Sequence, residues 1–226
     1  MGIKENLERI RKEIETSATK SGRDPKEIVL VGISKTFGPD QIREAIESGL
    51  TDIGENRIQE AETKFPSLSN VRKHFVGHLQ SNKVSKALEI FDMIQSVDSV
   101  KVAKKISGQS LESRRQMPVL IEMLTDEKKQ FGVRPDELRD FLEKVSDLKG
   151  IKVQGLMTIG PYSENPEDSR PVFRKMKSLF NSFRNKIPNI EMRYLSMGMS
   201  DDFGTAVEEG ANMVRIGRAI FGEREY

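Results

Sequence analysis

The feature that most constrains the fold of this chain is a strand-like segment that recurs eight times, with helix-like segments between the repeats. The first is the apolar, β-branched run EIVLVGISK at 27–35, which is typical of a strand buried on both faces. Segments with the apolar period of a helix follow each of the first seven strands. The other predicted strands are 52–55, 72–77, 93–97, 117–124, 151–160, 191–198 and 213–221.

Strict alternation of strands and helices predicts a parallel sheet with right-handed crossovers. Eight such units within 226 residues favour a closed (β/α)8 TIM barrel over an open Rossmann-like sheet. The open sheet is also disfavoured because no G-x-G-x-x-G motif follows the first strand. An extra N-terminal helix is predicted because apolar residues recur at helical spacing from Ile3 to Ile14. Since no linker-like segment interrupts the pattern, 1–226 is predicted to be a single α/β domain.

Composition excludes several classes of function. The 37 Lys and Arg nearly balance the 35 Asp and Glu, and no basic block exists, so nucleic acid and membrane surfaces are not expected partners. The absence of Cys removes disulfides, thiolate nucleophiles and Cys-based metal sites. The charged start at 1–15 lacks the apolar core of a secretory signal, and no apolar run approaches the ~20 residues of a membrane helix. A cytoplasmic location is therefore expected.

The carboxyl ends of the strands form the active face of a TIM barrel, so polar residues there are the candidates for chemistry. Lys35 ends the first strand after a run of apolar and small residues and is expected to point into the barrel mouth. Partial desolvation there disfavours the ammonium ion and lowers the pKa, which suits a lysine that forms a Schiff base. The alternative is a strand-end lysine whose amine reaches solvent.

The loops after the seventh and eighth strands resemble an anion site. Residues 196–200 lead into a helix predicted to start near Asp201, and Ser200 either caps this helix or shares its N–H groups with an anion. Gly217 follows the eighth strand, where a backbone amide can approach a phosphate closely. TIM barrels commonly bind phosphate at these two loops. A plain N-cap and a tight turn are the alternative.

Arg215 lies within the otherwise apolar last strand, and a buried guanidinium needs partners. In a functional role it faces a ring nitrogen, which stays unprotonated because Arg does not give up its own proton. In a structural role it forms an ion pair, for which Glu55 is a candidate.

The two histidines and two asparagines near strand ends are less specific. His74 and His78 lie four residues apart, which on a strand separates them by roughly 13 Å, too far to share a metal ion. No metal site is therefore predicted; His74 is expected at the surface and His78 at the barrel mouth. Asn56 and Asn82 open helices and are either caps or site donors.

Six motifs, in order over almost the whole chain, resemble those of the pyridoxal phosphate homeostasis proteins, which look like the barrel domain of alanine racemases without its second domain. The matching stretches are GISKT (32–36), GENRIQE (54–60), HFVGHLQSNK (74–83), GLMTIGPY (155–162), LSMGMSDDF (195–203) and VRIGRAIFG (214–222). The resemblance implies that Lys35 holds pyridoxal 5′-phosphate as a Schiff base and that Arg215 faces its pyridine nitrogen. It further implies a set of residues around the phosphate and the ring: Ser196, Ser200, Gly217 and the amide of Arg218 for the phosphate, and Asn56, His78 and Met197 as lining.

Two departures from the family pattern stand out. Arg218 occupies a position where the family usually has Thr, so a hydroxyl contact to the phosphate is lost. The backbone amide is kept, and the guanidinium is able to supply a charge-assisted bond instead. The segment LIEMLTDEKKQFGV at 120–133 lacks the Asn after the strand and the Lys before Phe-Gly that the family tends to have.

The resemblance implies a non-catalytic protein that carries or buffers pyridoxal phosphate, with pyridoxal-phosphate-dependent apo-enzymes as possible recipients and a monomeric state. The alternative is an amino-acid racemase, which needs acid/base groups on both faces of the substrate Cα. Racemases take the opposing Tyr from a second domain, whereas this sequence has only Tyr162, Tyr194 and Tyr226. An Arg at the ring nitrogen would also weaken the electron sink. A Schiff-base aldolase without the cofactor ranks last, because such lysines usually lie on a central strand.

Overall fold

The computed structural model describes residues 2–126, 130–161, 163 and 165–223, and its eight parallel strands close into a barrel. Each strand pairs with the next in the chain, and β8 pairs with β1. The predicted TIM barrel is confirmed. The strands are β1 (Val29–Ile33), β2 (Asp52–Glu55), β3 (Arg72–Phe75), β4 (Met93–Val97), β5 (Met117–Glu122), β6 (Ile151–Met157), β7 (Ile190–Ser196) and β8 (Met213–Ile216).

Helices surround the barrel, and the predicted additional helix precedes it. This helix, α1 (Ile3–Lys20), buries Leu7 and Ile10 and packs against the outer helices α2, α8 and α9. No helix of the described ranges is long and apolar enough to cross a membrane. The remaining helices are α2 (Pro39–Glu47), α3 (Ile58–Lys64), α4 (Val84–Ile90), α5 (Val100–Glu112), α6 (Leu138–Val145), α7 (Arg170–Phe183), α8 (Phe203–Glu208) and α9 (Arg218–Phe221).

Two predicted boundaries near the carboxyl end of the chain, the end of the eighth strand and the start of the helix before it, were wrong. The strand predicted at 213–221 ends at Ile216, and Arg218–Phe221 forms α9, which contacts α1 and buries the apolar Ile220 and Phe221 in the hydrophobic core outside the sheet. The helix predicted near Asp201 begins at Phe203 after a turn, with Asp202 as its N-cap residue. Ser200 therefore does not cap this helix.

The barrel interior holds an apolar layer and a polar layer. The apolar layer contains Val31, Ile33, Met93, Leu120, Met157, Tyr194 and Met213. His74, which the sequence placed at the surface, is fully buried between Asp52 and Gln95. It is tolerated there because each ring nitrogen has a hydrogen-bond partner on a neighbouring strand.

Candidate functional site

Two adjoining cavities open at the carboxyl ends of the strands. The larger mouth cavity has a volume of about 370 Å³ and the smaller mouth cavity about 280 Å³, and Ile33, Lys35, Met199 and Arg215 line both. The larger one is further lined by Asn56, Val76, Gly77, His78, Glu122, Gln130, Phe131 and Ile159. The smaller one is further lined by Ser200, Asp201, Gly217, Arg218 and Glu223. The fold thus brings seven of the nine predicted site residues to one place.

Lys35 is half-buried and follows β1 on a tight turn, in which the Phe37 amide donates to the Ser34 carbonyl at 3.1 Å. The next residue, Thr36, has φ +71°, a conformation that a β-branched residue adopts only where the surroundings enforce it. Its amide donates to Glu60 Oε2 at 3.0 Å. Polar contacts from α3 therefore stabilise the strained turn that carries Lys35.

Lys64 is the main polar anchor beneath this turn. Its Nζ donates to the Ser34 carbonyl at 3.1 Å, to Glu55 Oε1 at 3.0 Å and to Glu60 Oε2 at 2.7 Å. Burial raises the pKa of Glu55, although the Lys64 ammonium acts in the opposite direction. The suggested ion pair of Glu55 with Arg215 is wrong, since the carboxylate points to α3.

Arg215 is 4% exposed and forms part of the floor shared by the two cavities. Its Nη1 donates to Ser196 Oγ at 2.6 Å and its Nη2 to the Thr158 carbonyl at 2.7 Å. Burial lowers the pKa of Arg215 to about 10, against the attraction of nearby carboxylates. The guanidinium therefore stays protonated at neutral pH and presents only donors to a ligand.

Aromatic and amide side chains form the wall of the larger cavity. His78 stacks on Phe131 with ring centroids 3.6 Å apart, and its Nδ1 lies 3.1 Å from Asp98 Oδ2. Asn56 Oδ1 is buried without a hydrogen-bond partner in the described structure. Such an atom is costly unless a ligand satisfies it, so the wall fits a flat, polar-edged ring.

Ser200, Gly217 and Arg218 lie together at the smaller cavity. Ser200 Oγ accepts a hydrogen bond from the Ala219 amide at 3.3 Å, which joins the loop after β7 to the start of α9. At Gly217 a Cβ would lie 3.2 Å from the Ile33 carbonyl, so a larger residue would press on β1. The Arg218 guanidinium pairs with Asp201 and lies 3.5 Å from Glu223.

Two predicted site residues do not line either cavity. Ser196 is fully buried beneath Arg215, and its Oγ bridges Arg215 and Gln95. Met197 is fully buried in the hydrophobic core, whereas Met199 takes the lining position. The described residues contain no group of three or more acidic or histidine side chains suited to a metal ion.

Comparison with known proteins places the chain in a family. A family model described as "Alanine racemase, N-terminal domain" matches residues 4–225. A pyridoxal phosphate homeostasis protein of Aquifex aeolicus is 41% identical over 229 residues, which cover 100% of both chains. The chain belongs to the pyridoxal phosphate homeostasis protein family.

Solved structures extend this result. PipY of Synechococcus elongatus PCC7942, solved with PLP bound, is 32% identical with a TM-score of 0.86, over 97% of this chain and 100% of PipY. The D-threo-3-hydroxyaspartate dehydratase of Delftia sp. HT23 is 19% identical with a TM-score of 0.69, over 95% of this chain and 59% of the dehydratase, which shows a shared fold alone.

As a pyridoxal phosphate homeostasis family member, the chain has its six matching motifs around the two mouth cavities. Each motif contributes at least one lining residue: Lys35, Asn56, His78, Ile159, Ser200 and Gly217 represent them in chain order. Tyr162, which ends one motif, lies outside the described residues, as do 127–129 of the segment that departs from the family pattern. Sequence reasoning missed Phe131 and Glu122 as lining, because they come from that departing segment.

Proposed function

We propose that this protein binds pyridoxal 5′-phosphate as a Schiff base on Lys35 and carries or buffers the cofactor for other enzymes. The observation that carries the proposal is the position of Lys35 and Arg215 on the wall shared by the two mouth cavities. An amine and a donor-only guanidinium at one junction match the aldehyde and the ring nitrogen of a single ligand. The PLP-bound relative PipY supports the same cofactor.

Each part of the cofactor has a chemically matched group. The Lys35 amine suits the aldehyde, and Arg215 suits the unprotonated pyridine nitrogen. The His78 ring lies in the wall where the pyridine ring would lie, with Asn56 as a polar neighbour. The remaining contact is with the phosphate, for which the smaller cavity offers Ser200, Gly217 and Arg218.

A storage role agrees with the Arg215 contact. When bound, pyridoxal phosphate supplies an electron sink for reactions at an amino-acid Cα, and a protonated ring nitrogen strengthens that sink. Arg215 would donate to the ring nitrogen without protonating it, which would weaken the sink. This favours holding the cofactor over turning over an amino acid.

The alternative function is amino-acid racemisation, which needs a second acid/base group opposite Lys35. Tyr194 lies in the barrel interior, away from both cavities, and Tyr162 and Tyr226 lie outside the described residues. We therefore expect no exchange of Cα hydrogen for deuterium when the loaded protein is incubated with D- or L-alanine in deuterated water. Exchange at a catalytic rate would instead support the racemase.

Equilibrium dialysis with pyridoxal phosphate tests the covalent attachment. We expect Lys35→Ala to lose the Schiff base and to bind at least tenfold more weakly, with a residual affinity from the phosphate contacts. Lys86→Ala is a matched control, since Lys86 is an exposed lysine of α4 that lines neither mouth cavity. Wild-type affinity in Lys35→Ala would overturn the Schiff-base assignment.

Transfer to a second protein tests the carrier role. The loaded protein, freed of excess cofactor by gel filtration, is mixed with an apo-enzyme that depends on pyridoxal phosphate. We expect the apo-enzyme to gain activity as the absorption of the loaded protein falls. Retention of all cofactor on this protein would contradict supply to other enzymes.

A further inference from the structure

A chain of hydrogen bonds crosses the barrel interior from the amino ends of the strands to the mouth cavities. His74 Nε2 lies 2.7 Å from Asp52 Oδ1, and its Nδ1 lies 2.9 Å from Gln95 Nε2. Gln95 Oε1 accepts a hydrogen bond from Ser196 Oγ at 2.7 Å, and Ser196 Oγ in turn accepts one from Arg215 Nη1 at 2.6 Å. Five different strands thus contribute to one continuous path.

All five side chains of this path are buried. A buried polar network stabilises a structure only when every member is satisfied, and an apolar layer of similar volume often does as well. Here the path replaces an apolar layer in the barrel and ends on the guanidinium that lines both mouth cavities. The path therefore connects buried side chains deep in the barrel to a residue of the binding site.

The direction of every bond is fixed by the two ends of the path. Arg215 has only donors, and an ionised Asp52 has only acceptors. Ser196 must therefore donate to Gln95, the Gln95 amide must donate to His74 Nδ1, and His74 must be neutral with its proton on Nε2. In the alternative, a flipped Gln95 amide would face a His74 imidazolium, and the Ser196 hydroxyl proton would then have no acceptor within the path.

The electrostatics of the two titratable members agree with this direction. Burial lowers the pKa of His74, against the attraction of Asp52. The pKa of Asp52 is also lowered; burial acts against this, but hydrogen bonds from His74, Arg72 and Thr51 outweigh it. At neutral pH the histidine is neutral and the carboxylate is ionised.

We propose that His74 and Gln95 are positioning residues that act through Ser196 to orient the Arg215 guanidinium toward the ring nitrogen of the bound cofactor. Two guanidinium nitrogens are occupied, Nη1 by Ser196 and Nη2 by the Thr158 carbonyl, which fixes the plane of the group. The inference rests on the proposed binding of pyridoxal phosphate at this mouth, and it adds residues that touch neither cavity.

A double-mutant cycle between Gln95→Leu and Arg215→Met tests the path. We expect Gln95→Leu to weaken pyridoxal phosphate binding about tenfold in the wild-type background and to have no further effect in Arg215→Met, because the path then has nothing to orient. Ser96→Ala is the matched control: Ser96 is the next residue of β4, is buried, and its hydroxyl has no partner in the described structure. Equal weakening by Gln95→Leu in both backgrounds would overturn the proposal.

A second measurement needs no cofactor and leaves every residue of the path unchanged. The chain has only two histidines, so the ¹⁵N resonances of His74 are assigned by comparison with His78→Asn. We expect the neutral Nε2–H tautomer at His74; an imidazolium or an Nδ1–H tautomer at neutral pH would contradict the path. If the wild-type protein has this tautomer but binds no pyridoxal phosphate, only the proposed function is refuted. If it binds pyridoxal phosphate but the effects of Gln95→Leu and Arg215→Met on affinity are additive, only the positioning role is refuted.

Discussion

At the scale of single residues, the site depends on contacts from side chains that do not line it. Lys64 is 11% exposed and joins the Lys35 turn to Glu55 and Glu60. Removal of one partner from a buried ion pair leaves the other charge without compensation, which is more costly than the pair itself is stabilising. The turn and its strained Thr36 therefore need Lys64.

We expect Lys64→Met to lower the free energy of unfolding by about 3 kcal/mol, because Glu55 then lies buried and unpaired. Urea denaturation followed by circular dichroism measures the change. Lys86→Met is the comparison, since the ion pairs of this exposed lysine are solvent-screened and should contribute nothing measurable. If Lys64→Met lowered the free energy of unfolding no more than Lys86→Met does, the turn would not depend on Lys64.

The buried imidazole of His74 makes stability depend on pH. Its folded pKa is below the ordinary 6.5, so the unfolded chain gains a proton near pH 6.5 that the folded chain does not. Stability is therefore lost as the pH falls below 6.5, by up to about 1.4 kcal/mol per pH unit. His74→Gln should flatten this slope, because the buried imidazole is then absent. Denaturant midpoints across this range with equal slopes in the two proteins would disprove it.

Site residues could be predicted from the sequence where their immediate neighbours in the chain identified them. Lys35 and Arg215 were found because each is a charge in an otherwise apolar strand segment. His74 was misplaced because its partners, Asp52 and Gln95, come from other strands and leave no mark near it in the sequence. Met197 was predicted as lining from the family resemblance alone, whereas the backbone path after β7 places Met199 at the cavities and Met197 in the core.

At the scale of elements, the alternation of strand-like and helix-like segments predicted all eight strands. The clearest of them, β1, is a continuous apolar run because a parallel strand is buried on both faces. The errors fall where apolar residues serve another element, as with Ile220 and Phe221 of α9, or where a turn precedes a helix, as before α8. Local pattern does not distinguish an apolar residue of a strand from one of a short packed helix.

Two glycines within elements should respond oppositely to alanine. Gly155 in β6 has φ +141°, and a Cβ there would lie 1.9 Å from the Tyr194 carbonyl of β7. Gly108 in α5 is exposed, with nothing within 4 Å of an added Cβ. We expect Gly155→Ala to destabilise by more than about 1 kcal/mol and Gly108→Ala to stabilise by about 0.8 kcal/mol. Thermal unfolding measures both variants, and a Gly155→Ala protein as stable as the wild type would contradict the β6–β7 geometry.

At the scale of the whole molecule, the barrel collects distant segments at one mouth and connects them through its interior. Lys35 and Arg215 are 180 residues apart in the chain yet line the same cavities, since β1 and β8 are hydrogen-bonded neighbours. Closure of the barrel thus creates the site.

The monomeric state and the cytoplasmic location of the protein stay predictions. Sedimentation equilibrium measures the oligomeric state directly.

The central claim is that one lysine holds the cofactor, and reductive trapping tests it most directly. The purified protein is loaded with pyridoxal phosphate, its visible spectrum is recorded before and after borohydride, and the digested product is mapped by mass spectrometry. The account predicts a visible band that bleaches and a phosphopyridoxyl group on the peptide containing Lys35. A label on another lysine, or no band with excess pyridoxal phosphate, would contradict it.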